Sequence, residues 1–321
     1  MPLEIIRQDI TKLTSDAIVN AANAGLEQGG GVCGAIFAAA GAREMRQACA
    51  AIGHCPLGKA VITPGFALPA RYVIHAVGPV WQGGGHGEEA ALRSAYRSSL
   101  ELARDNNLES IAFPLISSGI YGYPREEAFA IALDEIQRFL LEHEMQVQLV
   151  VFDRKSTLLG QKVQSSLQSY IDDHYVDEHY FQRLNTENLQ RNVPQYKELA
   201  SAPLPVFQPE ETFSQALLRL IDAKGLTDAQ AYKRANIDRK HFSKIRSNKA
   251  YAPSKRTVLA FTIALGLNFQ EAEMLLERAG FAFSPAFVRD LIVRWFIEQG
   301  KANIHEVNAA LFEYEQELLG A

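Results

Sequence analysis

Two glycine-bearing segments carry the residue types that bind phosphate groups. The first, residues 20–34, contains three consecutive glycines, Gly29 to Gly31. The second, residues 117–124, contains Gly119 and Gly122. Glycine has no Cβ atom, so its backbone amide can approach an anion closely, and the N–H groups that precede a helix favour phosphate oxygens. The two segments therefore predict a phosphate-binding site.

Each segment is predicted to join a strand to a helix. The apolar run 17–19 precedes the first segment, and the run 111–116 precedes the second. Short apolar runs alternate with helical patterns throughout this half of the chain, which indicates an α/β fold with a mixed sheet covered on both faces by helices. In such sheets, ligands bind beyond the carboxyl ends of the strands, where both segments fall. The predicted strands are 3–7, 16–20, 59–63, 71–77, 110–114 and 147–152, and the predicted helices are 34–52, 88–106, 125–143 and 156–173.

The two segments, together with two further motifs, resemble a macrodomain, the module that binds ADP-ribose. The further motifs are Asp9-Ile10-Thr11, before the first segment, and the run from His75 to Trp81, between the two segments. The resemblance extends from about residue 3 to about residue 172. It implies a three-layer α/β/α macrodomain over residues 1–174.

The resemblance also implies which residues contact the ligand. Asp9 and the backbone of Ile10 would bind the adenine, although Asp9 could instead cap a short helix. Phe152 would stack on the adenine ring or, alternatively, pack in the core. Asn23 would bind the distal ribose, whereas Asn20 would either bind ribose or brace the loop. The full set of expected ligand-binding residues is Asp9, Ile10, Asn20, Ala21, Asn23, Gly30, Gly31, Val32, Ser117, Gly119, Ile120, Tyr121 and Phe152.

Position 33 departs from one catalytic branch of the macrodomain family. Hydrolases of the bacterial branch have an aspartate directly after the Gly-Gly-Gly-Val run, where it orients or activates water, and this chain has Cys33 instead. An unperturbed thiol has a pKa of about 8.5, against about 3.9 for aspartate, so it accepts a proton less readily at neutral pH. In branches without the aspartate, the substrate phosphate and the ribose-facing asparagine hold the water. The resemblance thus implies Asn23 as a catalytic residue, and Cys33, which takes the position of the aspartate, is the second candidate.

Covalent catalysis by Cys33 would require a histidine base. His75 lies within a predicted strand, where a satisfied core residue is expected, and His54 lies in a turn. The three cysteines of the chain, Cys33, Cys49 and Cys55, have a spacing that matches no standard metal motif. The sequence therefore predicts no metal, no cofactor and free thiols in a reducing compartment.

The second half of the chain differs in both pattern and charge. Residues 1–212 hold 17 Lys/Arg against 25 Asp/Glu, while residues 213–321 hold 15 against 12. From Lys233 to Arg256 there are nine basic residues and one acid, Asp238. Such clustering indicates either a polyanionic partner or a solvated basic face. After a linker at 175–211, whose prolines interrupt regular structure, the predicted helices are 213–224, 227–234, 238–247, 254–266, 269–279, 284–299 and 304–318.

The first five of these helices resemble the DNA-binding domain of phage-repressor type. The second and third would form a helix-turn-helix within a separate all-α domain over residues 212–321. Phe242 and Ile245 would face the core of this domain. A helical protein-binding module with a basic rim is the alternative. The residues expected to contact DNA are Arg239, Lys240, Ser243, Lys244 and Arg246.

The sequence also bears on location and on the class of function. The 321-residue chain has neither an apolar run long enough to span a membrane nor a signal peptide, so we expect a cytoplasmic protein. The resemblance implies recognition of mono-ADP-ribose on proteins or nucleic acids, with its hydrolytic removal. A non-catalytic ADP-ribose sensor, whose helical domain binds DNA or a protein, is the alternative. The oligomeric state stays open.

Overall fold

The computed structural model describes residues 2–151, 161–175 and 211–320. The chain divides into two compact units: the first comprises residues 1–161 with 236–238, and the second comprises 162–235 and 239–321. The domain boundaries at 174 and 212 stay a prediction, because the linker between them lies mostly outside the described residues. None of the helices in the described ranges is both long and apolar enough to cross a membrane.

The first unit is built around a mixed sheet of six strands. In chain order, the strands are β1 (Leu3–Ile6), β2 (Ala17–Ala22), β3 (Ala60–Pro64), β4 (Tyr72–Val77), β5 (Ser110–Pro114) and β6 (Gln146–Val150). Their order across the sheet is β1-β6-β5-β2-β4-β3, and only β3 runs antiparallel to its neighbour. The predicted mixed sheet is therefore confirmed.

Helices cover both faces of this sheet, because alternate residues of a strand point to opposite sides. The helices are α1 (Gly31–Ala40), α2 (Ala42–Ile52), α3 (Glu88–Asp105) and α4 (Arg125–Glu142). On one face, α1 and α2 pack in a buried apolar cluster that includes Ala112 of β5. On the other face, the Tyr96 ring of α3 lies 5.3 Å from the Phe113 ring, and its hydroxyl donates to the Pro114 carbonyl. The three-layer α/β/α architecture is thus confirmed.

The single helix predicted for residues 34–52 is wrong, since this stretch forms two helices. Gly41 separates them with a φ of 98°, ending α1 and preceding the first residue of α2. The alanine-rich sequence on both sides continues a helical pattern and so conceals the break. The bend lets α2 bury Met45 and Cys49 in the same cluster as α1.

The second unit is helical throughout its described residues. After α5 (Gln161–His174), its helices are α6 (Phe213–Ala223), α7 (Asp228–Arg234), α8 (Arg239–Ser247), α9 (Lys255–Ala264), α10 (Phe269–Arg278), α11 (Val288–Glu298) and α12 (Ile304–Glu313). Thr227 and Ser254 cap α7 and α9 through their side chains, as their positions before helical patterns predict. The α5 side chain Tyr170 donates to Glu298 of α11, so α5 packs within this unit.

Helix α8 has one buried side and one basic side. Phe242 and Ile245 are buried, as predicted, and the Phe242 ring lies 6.0 Å from the Phe261 ring of α9. The side chains expected to contact DNA are all exposed: Arg239, Lys240, Ser243, Lys244 and Arg246. Arg246 forms an ion pair with Asp228 of α7, so its charge is already balanced.

Candidate functional site

A cleft of about 910 Å³ opens at the carboxyl ends of the parallel strands in the first unit. Residues at or just after the ends of β1, β2, β5 and β6 contribute to its walls. The two glycine-bearing segments complete the lining, one from each side. The lining residues are Gln8, Asp9, Ile10, Ala21, Ala22, Asn23, Gly29, Gly30, Gly31, Val32, Cys33, Ala35, Gly78, Pro114, Leu115, Ile116, Ser117, Ser118, Gly119, Ile120, Tyr121, Arg125, Val150 and Val151.

Nearly all of the sequence-predicted ligand residues meet in this cleft. Asn20 does not line the cleft, because it is buried behind the wall, and Phe152 lies outside the described residues. The residues that come together are Asp9, Ile10, Ala21, Asn23, Gly30, Gly31, Val32, Ser117, Gly119, Ile120 and Tyr121. Their contacts with a ligand stay a prediction.

Asp9 caps a short helix and leaves one carboxylate oxygen available at the cleft. Its Oδ1 accepts from the backbone N–H of Thr11 at 3.0 Å and from the Thr11 hydroxyl at 2.8 Å, so it caps the short 3-10 helix Ile10–Lys12. The other carboxylate oxygen, Oδ2, accepts no hydrogen bond within the described part of the chain. Because Asp9 is exposed at the cleft, Oδ2 can accept from a ligand while Oδ1 caps.

Asn23 is oriented by the backbone of the first segment. Its Oδ1 accepts from the Glu27 N–H at 3.0 Å, and its Nδ2 donates to the Glu27 carbonyl at 3.0 Å. An amide group has two N–H donors and two lone pairs, so one donor and one acceptor site remain for a ligand. Asn23 is therefore a polar group that is fixed in place and still able to bind.

The Cys33 sulfur lies inside the turn formed by the first segment. It accepts from the Gly29 N–H at 3.4 Å and from Asn20 Nδ2 at 3.6 Å, and its S–H donates to the Glu27 carbonyl at 3.8 Å. The residue is only 5% exposed, although it lines the cleft. Its contacts hold the glycine turn together, so the geometry favours a structural role over a nucleophilic one.

Asn20 belongs to a cluster of buried polar side chains. The ligand contact that was one of its two expected roles is therefore wrong. Its Nδ2 lies 3.1 Å from Nδ1 of His75, while Nε2 of His75 lies 2.9 Å from the Thr63 hydroxyl and 3.8 Å from the Cys49 sulfur. Asn20 is completely buried and cannot reach a ligand, so its side chain braces the loop through Cys33. Bracing was the second of the two roles that the sequence left open.

Burial also keeps His75 and Cys49, two members of this buried polar cluster, uncharged. It lowers the pKa of His75 to about 4, so the imidazole is neutral at pH 7, and it raises the pKa of Cys49 to about 11. His75 contacts Asn20 rather than Cys33, so it does not serve Cys33 as a base. The expectation that His75 is a satisfied core residue is confirmed. No cluster of three or more potential metal ligands occurs among the described residues.

The second segment forms a tight loop that reaches across the cleft. Within it, the Gly122 N–H donates to the Gly119 carbonyl at 3.0 Å, and the Tyr123 N–H donates to the Ser117 carbonyl at 3.0 Å. Ser117 has a φ of 65° and a buried hydroxyl that finds no hydrogen-bond partner among the described residues. The hydroxyl lies next to Gly78, where a Cβ atom would collide with it.

Several lining residues were not among the predicted ligand contacts, and two of them bear on the shape and charge of the site: Arg125 and Gly78. Arg125 is the one basic side chain in the described lining of the cleft, and its position at the start of α4, directly after the second segment, was an available signal. Gly78 follows β4, where a Cβ atom would lie 2.6 Å from the Ile116 side chain and also collide with Ser117. Only glycine allows this close approach. The requirement depends on strands that are distant in sequence, so no local pattern reveals it.

Comparison with known proteins agrees with this architecture. Residues 19–132 match the family model described as Macro domain. A macro domain-containing protein of Methanosarcina mazei is 51% identical over 156 residues, which are 48% of this chain and 83% of the relative. An O-acetyl-ADP-ribose deacetylase of Salmonella gallinarum is 50% identical over 163 residues, which are 49% of this chain and 90% of the relative.

Solved structures of similar sequence also exist. The Oceanobacillus iheyensis macrodomain with ADP is 42% identical, with a TM-score of 0.45, and the match covers 53% of this chain and 92% of that one. The match to the family model lies within the first unit, where the mixed sheet and the cleft are found. With sequence identities of about half over most of the relatives' length, the chain belongs to the macrodomain family.

Proposed function

We propose that the cleft binds ADP-ribose and that the chain hydrolyses an ester bond of this group. The observation that carries the proposal is the approach of two amide-rich loops across one cleft. A Cβ atom at Gly30 would lie 3.2 Å from Cδ1 of Ile120 in the opposite loop. A diphosphate in the cleft could therefore accept hydrogen bonds from both sides.

The names of three relatives indicate which type of bond these relatives hydrolyse. The name O-acetyl-ADP-ribose deacetylase describes cleavage of an ester between an acyl group and a hydroxyl group of ADP-ribose. ADP-ribose joined to an Asp or Glu side chain is an ester of the same chemical class. In both cases the elements of one water are divided between the two products, a carboxylic acid and ADP-ribose. We therefore propose ADP-ribosyl esters, free or on a macromolecule, as the substrate class.

Each end of the cleft has a proposed task in this reaction. Asp9 Oδ2 would accept from the adenine amino group, and the amides of residues 30–32 and 117–121 would hold the diphosphate. Asn23, fixed by Glu27, would bind the distal ribose and the attacking water through its remaining donor and acceptor. The substrate phosphate would be the second group that holds this water.

Replacing Cys33 with alanine is expected to leave hydrolysis within about threefold of wild type, because the sulfur is enclosed by the turn that it braces. A nucleophile would instead cost about 1,000-fold or more when removed. Initial rates on O-acetyl-ADP-ribose and thermal unfolding of both proteins check this. A rate loss of the larger size in a folded variant would show that Cys33 acts in catalysis.

Product formation separates hydrolysis from sensing. The purified chain is incubated with O-acetyl-ADP-ribose and with a protein ADP-ribosylated on Asp or Glu, and released ADP-ribose is measured. Release from either substrate supports the hydrolase. Calorimetric binding of free ADP-ribose without any release would leave the sensor function, and no binding at all would overturn both.

A second proposed function concerns the helical unit, which we place at residues 212–321 after a linker at 175–211. We infer that α8 binds a nucleic acid duplex. Around this helix, several exposed cations form no ion pair within the described residues: Arg234, Arg239, Lys240, Lys244 and Lys249. Lys240 and Lys244 are four residues apart on one helix face, so their charges repel unless a polyanion balances them. We also propose a cytoplasmic location, where free buried thiols such as those of Cys33, Cys49 and Cys55 stay reduced.

Changing Lys240 and Lys244 together to alanine is expected to weaken duplex binding and to reduce the slope of affinity against salt by about 2, one for each lost phosphate contact. Fluorescence anisotropy with a labelled mixed-sequence duplex measures this. A double variant of Lys12 and Lys59, two exposed lysines of the first unit, removes the same charge and should change little. If wild type retains no duplex even at low salt, a protein partner replaces DNA as the proposal.

A further inference from the structure

A glycine-rich loop outside the cleft supports the second segment. This loop, residues 81–87, joins the region after β4 to α3, and Gly83, Gly84 and Gly87 have φ values of 106°, 85° and 81°. At its start, the Trp81 N–H donates to the Tyr121 carbonyl at 2.8 Å. The Trp81 ring also lies 4.6 Å from the Tyr123 ring. The position of Trp81 is therefore coupled to the segment that closes over the cleft.

A single buried carboxylate holds this loop in place. Glu88, the first residue of α3, is 3% exposed. Its Oε1 accepts from the N–H groups of Gln82 and Gly84 at 3.1 Å each, and its Oε2 accepts from the His86 N–H at 2.6 Å. Three backbone donors of the loop thus converge on one side chain.

The charge of Glu88 is part of this arrangement. Burial alone would raise the pKa of the carboxyl. The hydrogen bonds that it accepts from backbone N–H groups have the larger effect and lower the pKa to about 2. Glu88 is therefore ionised at neutral pH, and hydrogen bonds to an ionised acceptor are stronger than those between neutral groups. The loop 81–87 contains four glycines and therefore loses more backbone entropy on ordering than a loop of other residues would. It needs the hydrogen bonds to Glu88 to stay ordered.

We propose that Glu88 is a positioning residue for the ligand site: its carboxylate orders the loop 81–87, and Trp81 in turn holds the Tyr121 carbonyl and the segment 117–122. The inference rests on the proposed function, because the segment 117–122 is the loop assigned to the diphosphate. Glu88 does not line the cleft and touches no ligand itself. Its effect on binding would pass through the loop 81–87 that it holds in place.

The test replaces Glu88 with glutamine, which has a similar shape but only one acceptor oxygen and no charge. Calorimetry with free ADP-ribose is expected to show an affinity about tenfold lower. This corresponds to the free energy of one hydrogen bond from a loop N–H to a charged carboxylate. Glu89→Gln is the matched control, since Glu89 is the adjacent residue, is exposed and pairs with Arg93. The control should bind with unchanged affinity.

Tryptophan emission gives a readout that a general loss of stability would not move. The chain has two tryptophans, so a Trp295→Phe background leaves Trp81 as the only reporter. In this background, Glu88→Gln should shift the ligand-free emission of Trp81 to longer wavelength while the protein stays folded by thermal unfolding. If Glu88→Gln does not fold, Glu88→Asp, which keeps the charge with shorter reach, should show the same shift at smaller size.

The outcomes of the two proposals are distinct. If wild type binds ADP-ribose and folded Glu88→Gln binds equally well with unchanged emission, the positioning role is wrong. If wild type binds no ADP-ribose, the proposed function fails, and the Trp81 emission still decides whether Glu88 orders the loop. A weaker affinity together with the emission shift supports the inference.

Discussion

Replacing Gly31 with glutamate is expected to abolish ADP-ribose binding. Gly31 has a φ of 58°, and a Cβ atom at this position would meet no other atom within 4 Å. A side chain there would therefore occupy space next to the cleft that Gly31 lines, and its negative charge would oppose the diphosphate. We expect calorimetric affinity to fall by at least about 100-fold, because two like charges about 4 Å apart near a protein surface repel each other by about 4 kcal/mol.

The control for this variant is Gly280→Glu. Gly280, which follows α10, also has a positive φ, 77°, and open space around its missing Cβ. It thus suffers the same backbone strain and the same change in charge, but lies in the helical unit. Normal affinity in Gly31→Glu would remove the first segment from the ligand site. Equal losses in both variants would show that strain, rather than the cleft, is responsible.

Changing Asn23 to alanine is expected to reduce hydrolysis by about 100-fold, the usual loss for one oriented polar group that acts in the transition state. Affinity for free ADP-ribose should fall by less than about tenfold, since one neutral hydrogen bond to the ribose is lost. The separation arises because Asn23 would orient water as well as ribose. Initial rates at saturating substrate and calorimetry on the same preparation measure the two effects.

Asn106→Ala provides the comparison for Asn23. The Asn106 amide donates to the Leu102 carbonyl at 2.8 Å, which is also a bond between a side chain and a backbone group four residues away. Asn106 is exposed at the end of α3 and does not line the cleft. Its loss should leave the rate unchanged. If Asn23→Ala hydrolyses the substrate at the wild-type rate, Asn23 has no part in holding the water.

Local patterns of the sequence carried the architecture of the first unit. Each predicted strand is present within two residues at either end, because apolar runs of this length are needed to bury a parallel sheet on both faces. The caps Thr227 and Ser254 were also readable, since a cap acts on the three residues that follow it. Gly41 was missed because nothing on either side of it interrupts the helical pattern.

The candidate site was also predictable only in part. Residues grouped in two short segments could be expected at one cleft, because strand-to-helix connections of a parallel sheet meet at the same edge. Whether a polar side chain faces the cleft or the core could not be predicted. Asn20 and Asn23 are three residues apart, yet one contacts buried His75 and the other remains half-buried at the cleft.

By itself, the sequence determined the strands of the first unit, their order along the chain and the two loops that flank the cleft, since these follow from periodicity and from glycine at strand ends. Only the tertiary structure decided how Cys33, Asn20 and Glu88 are used. Cys33 contacts Glu27 and Gly29 within a folded turn, and Asn20 meets His75 across neighbouring strands. Glu88 gathers three loop amides. The direction of a polar side chain depends on the donors and acceptors that folding brings within hydrogen-bond distance of it. The backbone partners of Cys33 and Glu88 lie within six residues of them along the chain, but reach them only because the loop folds back, and the His75 partner of Asn20 comes from another strand.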